Sequence, residues 1–217
     1  MTVDLTDATP HADHAAEDVE GPFRIVVVSA FDAARGPSLQ HVLRRHLTLA
    51  RSENETVVSS AGTIASPGTC IELETARGLL ELGMVEDAEQ LELHRAHRLS
   101  ERRLAQADLV LAVGRDERRR AVELRPAVRP VAFTAVEFAR LVSALPEPAD
   151  EPRRLVRQAA GLRAAVRPVD AGEDDLPPMV ESDPREHERV LRRIEHTAAD
   201  VARALSRTLI GAGPHWS

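Results

Sequence analysis

Ile25-Val26-Val27-Val28 is a short, uniformly β-branched run that ends abruptly at Ser29. A run this short and this branched reads as a buried strand, because a helix of comparable burial would need more length. The run gives way to a loop of mostly small residues, Ser29-Ala30-Phe31-Asp32-Ala33-Ala34, closed by Arg35 and Gly36. Pro37 then suits the first turn of a helix, where its missing N–H removes nothing. Leu39, Val42, Leu43 and Leu47 continue at helical spacing. Strand, tight loop and helix N-terminus in succession bring unpaired N–H groups and the positive end of a helix dipole to one point. That is an anion-binding geometry.

The rest of the chain repeats the strand–helix alternation. Thr56 to Ser59 reads as a second strand, left by the turn Ala61-Gly62-Thr63. A helix spans about 71–82, with Gly83 as its C-cap. Ser100 can cap a helix over 100–106. Leu109 to Val113 is a third strand, followed by a helix over 116–124 that stops before Pro126. Residues 130–134 form a fourth strand, with a helix over 136–142. Two further helices are expected at 153–166 and 184–208. The arginines of the first of these, Arg153, Arg154, Arg157 and Arg163, read as a solvated face. Such alternation implies a parallel sheet with right-handed crossovers.

Composition narrows the class further. At 217 residues one domain is the default. Residues 1–21 are polar and acidic without periodicity and read as a disordered tail; 22–210 hold the domain; 211–217 form a short C-terminal tail. A net charge of -7 argues against nucleic acid as a partner. No apolar stretch is long enough to span a membrane. No secretion signal is visible, so the expected location is the cytoplasm. One cysteine, Cys70, excludes an internal disulfide framework.

These motifs resemble the low-molecular-weight protein tyrosine phosphatases, a family that includes arsenate-reductase-like members. Its signature is a Cys directly after the first strand, five residues, an Arg, then Ser or Thr and often Pro. Aligned without gaps, Ser29 takes the Cys position, Arg35 the Arg position and Gly36 the Ser/Thr position, and Pro37 matches. Ser60-Ala61-Gly62-Thr63, His94-Arg95-Ala96-His97 and Asp108-Leu109-Val110-Leu111 resemble further family segments. The resemblance covers about residues 23 to 210. It implies a three-layer α/β fold with a four-stranded parallel sheet in the order 2-1-3-4, helices on both faces, and no cofactor or metal.

The chemistry implied by the resemblance is altered here. The family's thiolate attacks phosphorus and forms a covalent intermediate while loop N–H groups and the Arg fork hold the phosphate. A serine hydroxyl has no comparable ionised fraction near neutral pH, and no adjacent base is evident for Ser29. Gly36 removes a hydroxyl. Phe31 is expected to occupy space in the loop and Asp32 to place a negative charge where a dianion would sit. Arg35 is expected to point into the loop. The family's general acid is an Asp-Pro shortly before the last helix. Asp174-Asp175-Leu176-Pro177 matches the lead-in, but Pro178-Met179 stand where Asp-Pro belongs. Asp183-Pro184 offers the dipeptide five residues late, where Asp183 also suits an N-cap.

Three functions are compatible with these residues. The leading one is a catalytically degenerate phosphatase, a pseudophosphatase, with a regulatory or partner-binding role. The second is an active phosphatase with an atypical loop and Asp183 as acid. The third is a small-anion or phosphate sensor built on Arg35. Bacterial members of the family often oppose tyrosine kinases of exopolysaccharide synthesis. The resemblance therefore implies a phosphotyrosine protein or such a kinase as partner.

Overall fold

The computed structural model describes residues 21–52, 55–146, 149–163, 165–166, 169–170, 172–179 and 183–210. Both expected tails, apart from Gly21, lie outside the described residues. The strands are β1 (Phe23–Ser29), β2 (Thr56–Gly62), β3 (Leu109–Ala112) and β4 (Ala132–Thr134). They form one sheet in the order β2-β1-β3-β4, and every pairing is parallel. The expected strand order is therefore the observed one. β1 runs down the middle, with Val26 opposite both Ser59 of β2 and Val110 of β3.

The helices are α1 (Arg35–Leu49), α2 (Leu73–Glu81), α3 (Ala88–Glu92), α4 (Glu101–Ala105), α5 (Arg115–Leu124), α6 (Ala135–Ser143), α7 (Pro152–Leu162) and α8 (Pro184–Ile210). Side chains alternate across a strand, so β1 serves two cores. Ile25 and Val27 join Leu109 and Leu111 against α1, α6 and α8, through residues such as Leu39, Phe138 and Ile194. Val26 and Val28 face the other way, with Val110 and Ala112, onto Leu104 of α4 and Ala121 of α5. Three layers result, as the alternation of elements requires.

Local sequence explains several boundaries. Thr134 and Glu137 form a reciprocal capping box that starts α6 directly at the end of β4. Ser100 Oγ accepts from the Arg103 N–H and caps α4. Gly83 follows α2 at φ 65°, a left-handed conformation that glycine adopts without a Cβ penalty. Helix α3 is not among the sequence expectations. It is a single turn capped by Asp87, whose carboxylate accepts the Glu89 N–H.

The arginines of α7 depart from the solvated-face reading. Arg153 donates to both carboxylate oxygens of Asp108, which also accepts the Arg24 N–H at the start of β1. Arg163 lies 3.9 Å above the Phe133 ring and pairs with Glu137. Both are half-buried because they close polar ends of the sheet. Only Arg154 and Arg157 remain exposed, each with an acidic neighbour.

Candidate functional site

In an open parallel sheet the ligand crevice lies beyond the carboxyl ends of the strands, where the chain order reverses. Here that point lies between β1 and β3, so the loop 29–35 borders it. The loop is braced on several sides. The Thr63 and Ile64 N–H groups donate to the carbonyls of Ser29 and Ala30, both at 2.9 Å. The Glu72 N–H donates to the Ala33 carbonyl at 2.8 Å. Gly62 explains why the turn after β2 must be small. A Cβ there would stand 2.6 Å from the Ala30 carbonyl oxygen and 2.9 Å from the Phe31 backbone.

Ser29, the last residue of β1, is buried. Its Oγ accepts the Asp32 N–H at 3.1 Å and lies against the Gly36 Cα side, where a Cβ would overlap it. Gly36 thus does more than omit a hydroxyl: its bareness makes room for this Ser29 orientation. Ala34 starts α1 without a side-chain cap, and no acidic residue occupies the first turn. The helix N-terminus therefore keeps its positive end toward the loop.

Phe31 and Asp32 differ from expectation. The Phe31 side chain is 62% exposed and points to solvent, so it does not fill the loop. Asp32 has φ 57° and no exposed surface. Such a backbone suits Asn and Asp among the larger residues, because their short side chains bond locally. It turns the carboxylate inward, beneath the loop, where Oδ2 accepts the His97 N–H at 2.9 Å. The Asp32 carbonyl accepts from His94 Nε2 at 3.0 Å, which places that ring's proton on Nε2. Burial raises the Asp32 pKa; nearby Ser60, the His97 N–H and the two histidine rings oppose the rise. Oδ1 and Ser60 Oγ nevertheless lack a hydrogen bond of good geometry, so the raised direction is the one the geometry supports.

Arg35 is engaged elsewhere than in the loop. Its Nη1 donates to the Leu176 carbonyl at 2.8 Å, and Nη2 lies 3.8 Å from Glu117 Oε1. The segment 172–176 forms a strap across the switch point. The Leu176 N–H donates to the Val113 carbonyl, Thr134 Oγ1 donates to the Asp174 carbonyl, and Asp174 takes a two-pronged bond from Arg140. Asp175 accepts the Arg115 N–H at the start of α5. Asp183 caps α8 by accepting the Arg185 and Glu186 N–H groups at 3.1 and 3.2 Å.

The structure thus gathers Ser29, Ala30, Phe31, Asp32, Ala33, Ala34, Arg35 and Gly36 into one loop at the switch point. It gives Asp183 a capping role. The sequence reading missed Glu117, Leu176 and Ser60 as neighbours of this site. His94 and His97 belong to the family-like segment 94–97, whose spacing alone gives them no role. Cys70 is exposed, two positions before the segment that touches Ala33. Among the described residues, no group of three His, Cys, Asp or Glu side chains could hold a metal ion. None of the described helices is long and apolar enough to cross a membrane.

No protein-family model matches the chain, and no curated protein matches it by sequence. Solved structures do. YwlE arginine phosphatase from Geobacillus stearothermophilus superposes with a TM-score of 0.65 at 20% identity, covering 89% of this chain and 99% of that one. A low-molecular-weight protein tyrosine phosphatase from T. tengcongensis gives 0.63 at 18% identity, covering 84% and 99%. A cysteine-to-serine mutant of YwlE arginine phosphatase with a phosphorylated active-site serine gives 0.61 at 18% identity, covering 85% and 97%. The chain therefore has the fold of the low-molecular-weight protein tyrosine phosphatases.

Proposed function

We propose that this protein is a catalytically degenerate member of that fold, a pseudophosphatase that acts by binding a partner. The observation that carries the reading is the capture of Arg35. A phosphoryl group in the loop needs that guanidinium fork, and here its Nη1 bonds the Leu176 carbonyl while its Nη2 faces Glu117. Two further features support it. Ser29 has a hydroxyl where the chemistry uses a thiolate, and its Oγ is occupied by the Asp32 N–H. The residues that would supply a general acid are a proline, Pro178, and a helix cap, Asp183. In this reading the partner is a phosphotyrosine protein or a tyrosine kinase of exopolysaccharide synthesis in the cytoplasm, on the resemblance alone.

A second reading has one specific observation in its favour. A solved neighbour with serine in its active site carries a phosphoryl group on that serine. Ser29 would then be a phosphoryl acceptor, and the protein a slow phosphatase or a phosphoserine protein. One experiment separates the two. Wild type and Ser29→Ala are incubated with an aryl phosphate ester between pH 5 and 7, with turnover and intact mass both recorded. The pseudophosphatase reading expects background turnover and no phosphoryl adduct from either. Turnover or an adduct in wild type that Ser29→Ala abolishes would establish the second reading.

A further inference from the structure

One to two turns further along α1, a recess of about 340 Å³ opens between that helix, β2 and the segment 90–97. Its floor is polar and buried. His41 is 5% exposed, and neither ring nitrogen has a hydrogen-bond partner. Ser60 Oγ beside it is buried and faces the Asp32 carboxylate without a hydrogen bond of good geometry. The His94 ring stands 6.0 Å from that of His41, edge to face. Buried polar groups are ordinarily satisfied, so this many open positions in one hollow call for a ligand or water.

The rim identifies the charge of the ligand. Arg44, Arg95 and Arg103 line the recess, and no carboxylate does. That is a local reversal in a chain of net charge -7. Arg95 donates only to the backbone carbonyls of Glu92 and His94. Among the described residues, the guanidinium groups of Arg44 and Arg103 enter no hydrogen bond or ion pair. Three arginines bordering one small hollow supply the positive charge that a doubly charged oxyanion needs. The volume is at the low end for small-molecule sites and too small for a macromolecule. Leu93, 66% exposed, adds an apolar edge beside the cations.

We propose that this recess binds a small phosphate-bearing ligand, either the free ion or a compact phosphate ester, independently of the loop after β1. His41, His94 and Ser60 form its floor, and Arg44, Arg95 and Arg103 hold the charge. His94 and the His97 N–H also bond Asp32, so the recess and the loop share a wall. The proposal does not use Arg35 and stands whether or not the loop is catalytic.

The test is calorimetric titration of the full chain at low ionic strength with inorganic phosphate, glycerol phosphate and glycerol. Wild type, the Arg44→Gln/Arg103→Gln double variant and Arg35→Gln are compared. Both phosphates, or one of them, bind wild type saturably and glycerol does not. The double variant binds about tenfold more weakly or worse, whereas Arg35→Gln binds as wild type does. A preference for glycerol phosphate identifies an ester as occupant, and a preference for phosphate identifies the free ion. Ring-nitrogen NMR adds a readout of place: the His41 signals move on phosphate addition. Absence of saturable binding would overturn the proposal. So would binding that Arg35→Gln removes and the double variant keeps.

Discussion

Two regions of α1 face anions in different ways. At its N-terminus the loop 29–35 keeps the shape of a phosphate cradle, yet its one guanidinium is already held by the Leu176 carbonyl. Along its flank the recess has no inherited cradle, yet Arg44 and Arg103 stand there without partners. A ligand entering the loop must displace a bond to a charged group, worth about 1.5–3 kcal/mol, before it gains anything from Arg35. A ligand entering the recess meets two guanidinium groups, of Arg44 and Arg103, that hold no hydrogen bond or ion pair among the described residues, and a third, of Arg95, bonded to two backbone carbonyls. Backbone shape and charge availability are thus separable, and in this molecule they have separated.

That contrast can be broken from the loop side first. Gly62→Val places side-chain atoms against the Ala30 carbonyl and the Phe31 backbone. The clash is with backbone and cannot be relieved by a rotamer change, so the expected loss is about 3 kcal/mol. Urea unfolding measures it. A loss near zero would mean that the loop is not braced against β2.

The next effect belongs to the recess. Burial, then His94, then Arg44 push the His41 pKa down to about 4 from 6.5. The unfolded chain then binds the proton more tightly than the folded one. Stability from this group is complete above pH 6.5 and is lost as pH falls toward 4. The loss is on the order of 2–3 kcal/mol. Urea midpoints across that window should fall less steeply in His41→Asn than in wild type. Phosphate should flatten the wild-type profile, since an anion in the recess favours the protonated ring. Parallel profiles without phosphate would show that His41 does not titrate in this way.

A smaller effect is expected at the strap. Thr134 both caps α6 and donates to the Asp174 carbonyl. Thr134→Ala should cost about 1–2 kcal/mol, since it removes the cap together with a buried hydrogen bond. It should also loosen Leu176 from Arg35, so that weak phosphate binding at the loop emerges in NMR titration. Unchanged loop resonances would mean that the strap is held without Thr134.

The fold was legible because its strands are short apolar runs, β-branched in β1, and its helices carry apolar residues at regular spacing. Ser60 to Thr63 stood out for a reason now visible in Gly62, where only glycine fits against the loop. The chemistry was harder to read. Phe31 and Asp32 were expected to crowd and charge the loop, but the direction of each side chain depends on the φ of 57° at Asp32. Residue type permits that conformation without specifying it. Arg35 was expected in the loop because nothing nearby in sequence competes for it. Its actual partner, Leu176, lies 141 positions away. Arg153 and Arg163 leave the solvated face for the same reason, since their partners Asp108 and Phe133 are distant in sequence. The recess escaped notice because its cations come from three separate segments.

The central claim is that the loop keeps its architecture without its chemistry, and one variant tests it directly. Ser29→Cys restores the thiol but leaves Arg35 on the Leu176 carbonyl and Gly36 without a hydroxyl. The α1 N-terminus should draw its thiol pKa below the ordinary value of about 8.5, but with Arg35 held on Leu176 no guanidinium is in place to bind the phosphoryl group. Steady-state turnover of an aryl phosphate ester by Ser29→Cys should therefore remain at the wild-type background between pH 5 and 7. Robust turnover by Ser29→Cys, abolished by adding Arg35→Ala, would contradict the account. It would show a loop that lacks only its nucleophile.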